Sequence, residues 1–248
     1  MAWKWASASV IGTSHVANGD RLQDAYTLAR VGEDGLLAIV SDGAGSAEFG
    51  HFGAWLVCRF LKVRFREHFQ QQSDLPNDDL ISDWVDELRD QIAAIARQRE
   101  STQRQFAATL AAILVTPEEE LTLHIGDSAV VGRNGDEWDV LCWPENGEYA
   151  SSTYFVTDDP EPRMTIRRQP RTHDAFAVFS DGVGDLALSH ADQVAHTGFF
   201  KPMIRPVDAA QDEGRLRDLS VKLSSYLGGP SVCERTDDDK TLLLISGV

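Results

Sequence analysis

Residues 36–46, Leu36-Leu37-Ala38-Ile39-Val40-Ser41-Asp42-Gly43-Ala44-Gly45-Ser46, place five apolar side chains in a row and then stop on Ser-Asp-Gly. A short apolar run closed by turn residues reads as a buried strand. The form recurs at Ala175-Phe176-Ala177-Val178-Phe179-Ser180-Asp181-Gly182, with Asp185 shortly after. The run Leu121-Thr122-Leu123-His124-Ile125-Gly126 ends in Asp127-Ser128, and Thr236-Asp237-Asp238-Asp239-Lys240 leads into a last apolar run. Any one Asp-Gly is ordinary turn chemistry; the set is what carries weight. Strand ends hold side chains rigidly, and several can meet at one rim of a sheet. Carboxylates ~4 Å apart repel by roughly 1–4 kcal/mol per pair at effective dielectrics of 80 to 20. A shared cation removes that cost. Oxygen-only donors select hard ions, so Mg²⁺ or Mn²⁺ fits. The glycines after Asp42 and Asp181 allow a sharp turn or a close backbone approach.

Outward from these runs, residues 5–12, 24–31 and 36–42 read as three strands of a meander. From 49 to 72, Phe52, Leu56, Phe60 and Val63 fall at helical spacing. A clearer helix spans 79–100, with Ile81, Trp84, Val85, Leu88, Ile92, Ile95 and Ala96 on one stripe. The intervening Ser73-Asp74-Leu75-Pro76-Asn77-Asp78 supplies turn and N-cap residues. Strand character returns at 107–115, 120–126, 129–133 and 138–142, then at 175–180 and 241–246. Residues 144–174 read as a long polar loop with room for one strand, and a helix is expected around 207–227. Blocks of strands and helices in this order indicate an α+β fold with antiparallel sheets, expected as one domain over 1–248.

The charge balance bounds the partners. With 39 acidic and 23 basic residues the formal charge is −16, a surface that repels a phosphate backbone and argues against nucleic acid. No run approaches the ~20 apolar residues of a membrane span, and residues 1–5 contain no signal-peptide core. Cys58, Cys142 and Cys233 lack metal-ligand spacing and suit reduced thiols. A cytoplasmic protein is the expectation.

The ordered motifs Ser41-Asp42-Gly43-Ala44-Gly45-Ser46, Gly126-Asp127-Ser128, Phe179-Ser180-Asp181-Gly182 and Asp238-Asp239-Lys240-Thr241 resemble those of the PP2C-type (PPM) metal-dependent protein serine/threonine phosphatases, with Gln23-Asp24-Ala25 similar to an element near their N-terminus. Glu234-Arg235-Thr236 before the final motif is most similar to a bacterial subfamily. The resemblance implies a four-layer αββα sandwich of two antiparallel sheets flanked by helix pairs. It also implies hydrolysis of phosphoserine or phosphothreonine in proteins by a metal-activated water, with two or three Mn²⁺ or Mg²⁺ ions and a partner Ser/Thr kinase upstream. Carried over by position, Asp42 bridges two ions, the Gly43 carbonyl binds one, and Asp181 and Asp238 complete the first. Asp24 orients the nucleophilic water, and Asp127 and Asp185 hold a weaker third ion.

Three positions depart from that pattern. Gln23 stands where relatives carry a metal-binding glutamate, Gly19 where many carry a phosphate-binding arginine, and Ala44 where some carry a histidine. Arg21 is the nearby substitute for substrate phosphate. These departures leave a second reading, a weak or inactive binding module of the same fold. His15 and His51 lie near the motifs, as substrate contacts or as structural residues. Arg163, Arg167, Arg168 and Arg171 either steer substrate or decorate a polar loop, and Trp143 is a possible groove wall. Cys58-x5-Arg64 matches a cysteine-phosphatase spacing but lies in a glycine-free amphipathic helix, so Cys58 is expected to pack rather than react.

Overall fold

In a computed structural model, residues 2–146 and 153–247 are described. The elements are β1 (Trp3–Val10), α1 (Thr13–Asn18), β2 (Ala25–Val31), β3 (Gly35–Ser41), α2 (Gly50–Gln71), α3 (Asp78–Gln98), a 3-10 turn (Gln103–Phe106), β4 (Leu110–Val115), β5 (Glu119–Ile125), β6 (Ala129–Asn134) and β7 (Glu137–Cys142). Then come β8 (Thr165–Pro170), β9 (Ala175–Phe179), a 3-10 turn (Asp181–Val183), α4 (Gly184–Ala187), β10 (Leu188–Ser189), β11 (Val194–Ala195) and α5 (Thr197–Asp208). The chain closes with β12 (Gly214–Arg215), α6 (Arg217–Leu227), α7 (Pro230–Cys233) and β13 (Lys240–Gly247).

Two sheets dominate, in the orders β12-β1-β13-β9-β6-β7 and β2-β3-β4-β5-β8. Every pairing in them is antiparallel except β1 with β12. Alternation along the central strands builds three apolar layers, because successive side chains point to opposite faces. From β3, Leu36, Ala38 and Val40 join Phe176 and Val178 of β9 and Leu243 and Ile245 of β13 between the sheets. Leu37 and Ile39 point the other way, onto the inner faces of α2 and α3. Leu242 and Leu244 of β13 meet α5 and α6 on the opposite side. The result is helix–sheet–sheet–helix, as expected. Strands buried on both faces must be apolar throughout, which is why residues 36–40 form an unbroken run.

Helix α3 follows its pattern closely. Ile81, Trp84, Val85, Leu88, Ile92 and Ala96 are buried, and the Asn77 side chain accepts from the Leu80 N–H at 2.8 Å. Such a cap contributes about 1 kcal/mol. Elsewhere the structure corrects the sequence reading. The helix expected at 207–227 is two helices, α5 and α6, separated by β12. Pro202 and Pro206 lie inside α5. Interior proline costs ~3 kcal/mol of helix stability; burial of Phe200, Ile204 and Val207 offsets it. The strand expected from 107 starts at Leu110, because Ala107, Ala108 and Thr109 bond instead to residues 42–44. Within 144–174 an edge strand, β8, pairs with β5. The short helix α1 was not foreseen. Gly147, Glu148, Tyr149 and Ala150 of the polar loop lie outside the described residues.

Candidate metal centre

The serines of the two Ser-Asp-Gly motifs act on neighbouring strands. Ser41 Oγ donates to the Thr109 carbonyl at 2.6 Å. The Asp42 N–H donates to Thr109 Oγ1 at 2.9 Å, and the Thr109 N–H returns a bond to the Asp42 carbonyl at 2.8 Å. These bonds consume the Asp42 backbone and leave its carboxylate free. At β9, Ser180 Oγ donates to Asp24 Oδ2 at 2.7 Å and accepts from the Thr241 N–H at 3.0 Å. Both glycines are sterically required. A Cβ on Gly43 would overlap the Gly50 carbonyl, and one on Gly182 would overlap the Asp239 carbonyl.

The motif ends converge on one cleft of about 780 Å³, lined by Asp42, Gly43, Asp127, Asp181, Asp185 and Asp238. One carboxylate oxygen from each of Asp42, Asp127 and Asp181 lies within 4.8 Å of the others. Asp238 makes a second such group with His15 and Asp239. Asp185 lines the cleft but belongs to neither group among the described residues; it points to His190 Nε2 at 3.5 Å and is largely exposed. Asp24 sits behind the cleft, buried.

Charge crowding is severe. Burial, and then the charges of Asp24, Asp181, Asp127 and Asp238, push the Asp42 carboxyl well above the ordinary range. Partial desolvation and the charges of Asp127, Asp238 and Asp24 do the same to Asp181, although its outer edge reaches solvent. Burial raises Asp24 to about 7 against the hydrogen bonds of Ser180 and Thr241, and it raises Asp127 as well. Asp127 Oδ1 and Asp24 Oδ1 are buried without a hydrogen-bond partner among the described residues. Orphaned, mutually repelling oxygen donors are what a hard divalent cation satisfies, so these residues fit one.

In the final motif the two aspartates divide. Asp239, 2% exposed, accepts from the N–H groups of Gly12 and Gln23, both at 2.6 Å, and from His15 Nδ1 at 2.9 Å. It is a structural anchor; Asp238 is the one that faces the cleft. The Gln23 amide faces the carbonyls of Gly43 and Ala44, and with its NH₂ group assigned to that side it donates to them at 2.9 and 3.0 Å.

Other sequence candidates fall as follows. Arg21 lines an adjoining cavity, where its guanidinium lies 3.4 Å from His51 Nε2. His15 does line the acidic cleft. Arg163 bonds Glu145, Arg168 bonds Asp78, and Arg171 stacks over Trp3, so these three are engaged locally. Trp143 packs against His190. Cys58 is buried in α2, and burial pushes its thiol up, so it packs as expected. Sequence reasoning missed Thr109 and Arg104. Arg104, on the 3-10 turn after α3, is the only arginine or lysine among the described residues lining the cleft. Neither lies in a motif, so only the fold reveals them.

Comparison with known proteins agrees with this geometry. The family model for "Protein phosphatase 2C" matches residues 11–227. The chain is 36% identical over 250 residues to serine/threonine-protein phosphatase 3 of Escherichia coli (strain K12), covering 98% of each. Among solved structures, serine/threonine phosphatase Stp1 from Staphylococcus aureus superposes with a TM-score of 0.66 at 16% identity, over 99% of this chain and 95% of that one. The catalytic domain of the serine/threonine protein phosphatase PstP, in complex with two manganese ions, gives 0.61 at 19% identity over 99% and 98%. With two sheets ending in one rim of aspartates and a family match along most of its length, this chain belongs to the protein phosphatase 2C family.

Proposed function

We propose that the chain hydrolyses phosphoserine or phosphothreonine in proteins, using two or more divalent ions held by Asp42, the Gly43 carbonyl, Asp181 and Asp238, with Asp127 and Asp185 serving a further ion. The observation that carries this reading is the convergence of Asp42, Asp127 and Asp181 to within 4.8 Å at strand ends from both sheets. When bound, such ions lower the pKa of water and offset charge on phosphoryl oxygens. The chain supplies the rest. Asp24, buried behind the cleft and held by Ser180 Oγ at 2.7 Å, would orient the attacking water. Arg104, the one guanidinium lining the cleft among the described residues, would face the phosphoryl oxygens. A phosphoprotein written by a Ser/Thr kinase of the same cell is the substrate class. Three free cysteines, two of them buried, suit a reducing cytoplasm.

The departure at Gln23 favours a second reading, a weak or inactive binding module of the same fold, because an amide stands beside Gly43 where relatives carry a charge. One experiment separates them. Hydrolysis of p-nitrophenyl phosphate is measured with EDTA, Mg²⁺ or Mn²⁺, for the wild type and for Asp42→Asn. Activity restored by Mn²⁺ and lost in the variant supports the enzyme. A folded wild type that is inactive with every metal sinks it.

A further inference from the structure

A second cavity of about 830 Å³ adjoins the acidic cleft, sharing Gly45 and Ser46 as its wall. Its lining is mixed in charge, with Asp20 and Glu48 beside two arginines and a histidine. Arg21, His51 and Arg99 all face it. Elsewhere Arg30, Arg64, Arg133 and Arg168 each hold a carboxylate. Among the described residues, neither Arg21 nor Arg99 has a carboxylate within 4.0 Å. Asp20 and Glu48 also line the cavity without pairing to either. The field at His51 is positive: beyond burial, the charges of Arg21 and Arg99 are what lower its pKa.

Arg99 is exposed but rests on aromatic rings. Its guanidinium stacks over Phe49 at 5.0 Å and Phe52 at 5.1 Å, and Phe49 stacks in turn on the fully buried Phe106. Cation–π contacts hold a guanidinium by its face and leave its edge N–H groups free to donate. A guanidinium held by its face and without a carboxylate partner, beside a second arginine that bonds only His51, can take a carboxylate.

We propose that this cavity is a subsite for an acidic side chain flanking the phosphorylated residue of the substrate, gripped by Arg99 and Arg21, with His51 beside Arg21. The proposal rests on the phosphoprotein reading above. It gives an acidic enzyme a preference for acidic sequence, against the sign of its net charge.

The test is fluorescence anisotropy on the Mn²⁺-loaded protein. Two peptides carry a non-hydrolysable phosphonate in place of phosphothreonine, one flanked by glutamates and the other by glutamines. The wild type should bind the glutamate peptide about tenfold more tightly. Arg99→Gln should bring the ratio close to one, and Arg99→Lys should keep part of it, each variant being referenced to its own glutamine-peptide value. A wild-type ratio of one or below, or a ratio unchanged in Arg99→Gln, overturns the proposal. Hydrolysis of the phosphothreonine form of the glutamine peptide tests the phosphatase reading separately. Its failure with the binding ratio intact breaks that reading and leaves the anion subsite standing.

Discussion

Replacing Asp42 by asparagine should make the metal-free protein more stable while destroying its activity. Its carboxylate oxygen and those of Asp127 and Asp181 lie within 4.8 Å of one another. Two unit charges at that distance repel by about 3.5 kcal/mol at an effective dielectric of 20 and by about 0.9 kcal/mol at 80. Asp181 reaches solvent and all three carboxyls escape part of the cost by taking up protons, so the lower figure is appropriate. Asp42→Asn removes two such pairs, about 2 kcal/mol. For a domain of this size that raises Tm by about 4–8 °C. Mn²⁺ should invert the order. At a thousandfold excess over Kd an ion adds about 4 kcal/mol, and only the wild type keeps the full donor set. The assay is thermal unfolding at pH 8 in EDTA and in Mn²⁺, with both proteins shown folded by circular dichroism. A variant less stable than wild type in EDTA, or a wild-type Tm that Mn²⁺ leaves unmoved, would refute the reasoning.

Thr109→Val keeps the volume but strands the Asp42 N–H; it should cost about 1–3 kcal/mol and weaken Mn²⁺ binding about tenfold or more by calorimetry. Gln23→Glu trades two donated hydrogen bonds for a carboxylate facing two carbonyls. It should destabilise the EDTA-treated protein by about 1–3 kcal/mol and raise Mn²⁺ affinity or stoichiometry in titration calorimetry. Arg104→Ala should raise KM for a phosphopeptide about tenfold or more with a smaller change in kcat, read from steady-state kinetics. Away from the cleft, buried Glu120 and His173 pair at 2.7 Å. Although burial opposes both shifts, their mutual bond lowers Glu120 and raises His173. Stability from His173 is full below its unfolded pKa, about 6.5, and is lost as pH rises through the raised value. Stability from Glu120 is present above about 4.5 and is lost below its lowered value. Urea unfolding of His173→Gln against wild type should therefore show the largest difference between about pH 4.5 and 6.5 and a smaller one at pH 9.

The sheets and the acidic rim were legible because their constraints are local. A strand buried on both faces must be apolar, as 36–40 is, and an aspartate where it ends is visible in one line of sequence. What was hidden depends on distant partners. Thr109 matters only because β4 runs beside β3, and Arg104 only because a 3-10 turn carries it to the rim. Asp238 and Asp239 were separated by position within the motif; the structure adds the reason, that Asp239 is spent on the backbone of Gly12 and Gln23. Helix α5 was missed because its two prolines argue locally against a helix that burial nonetheless stabilises.

Asp42 and Asp181 hang from different sheets, one on β3 and the other on β9, and the apolar layer of Val40, Phe176, Val178 and Leu243 lies between those sheets. That layer works as a gauge block. Its thickness, set by side-chain volume alone, fixes the gap between two carboxylates that never touch it. A methylene gained or lost there would shift Asp42 against Asp181. If Asp42 and Asp181 share an ion as proposed, the spacing of its donors rests partly on apolar residues that are not among its ligands.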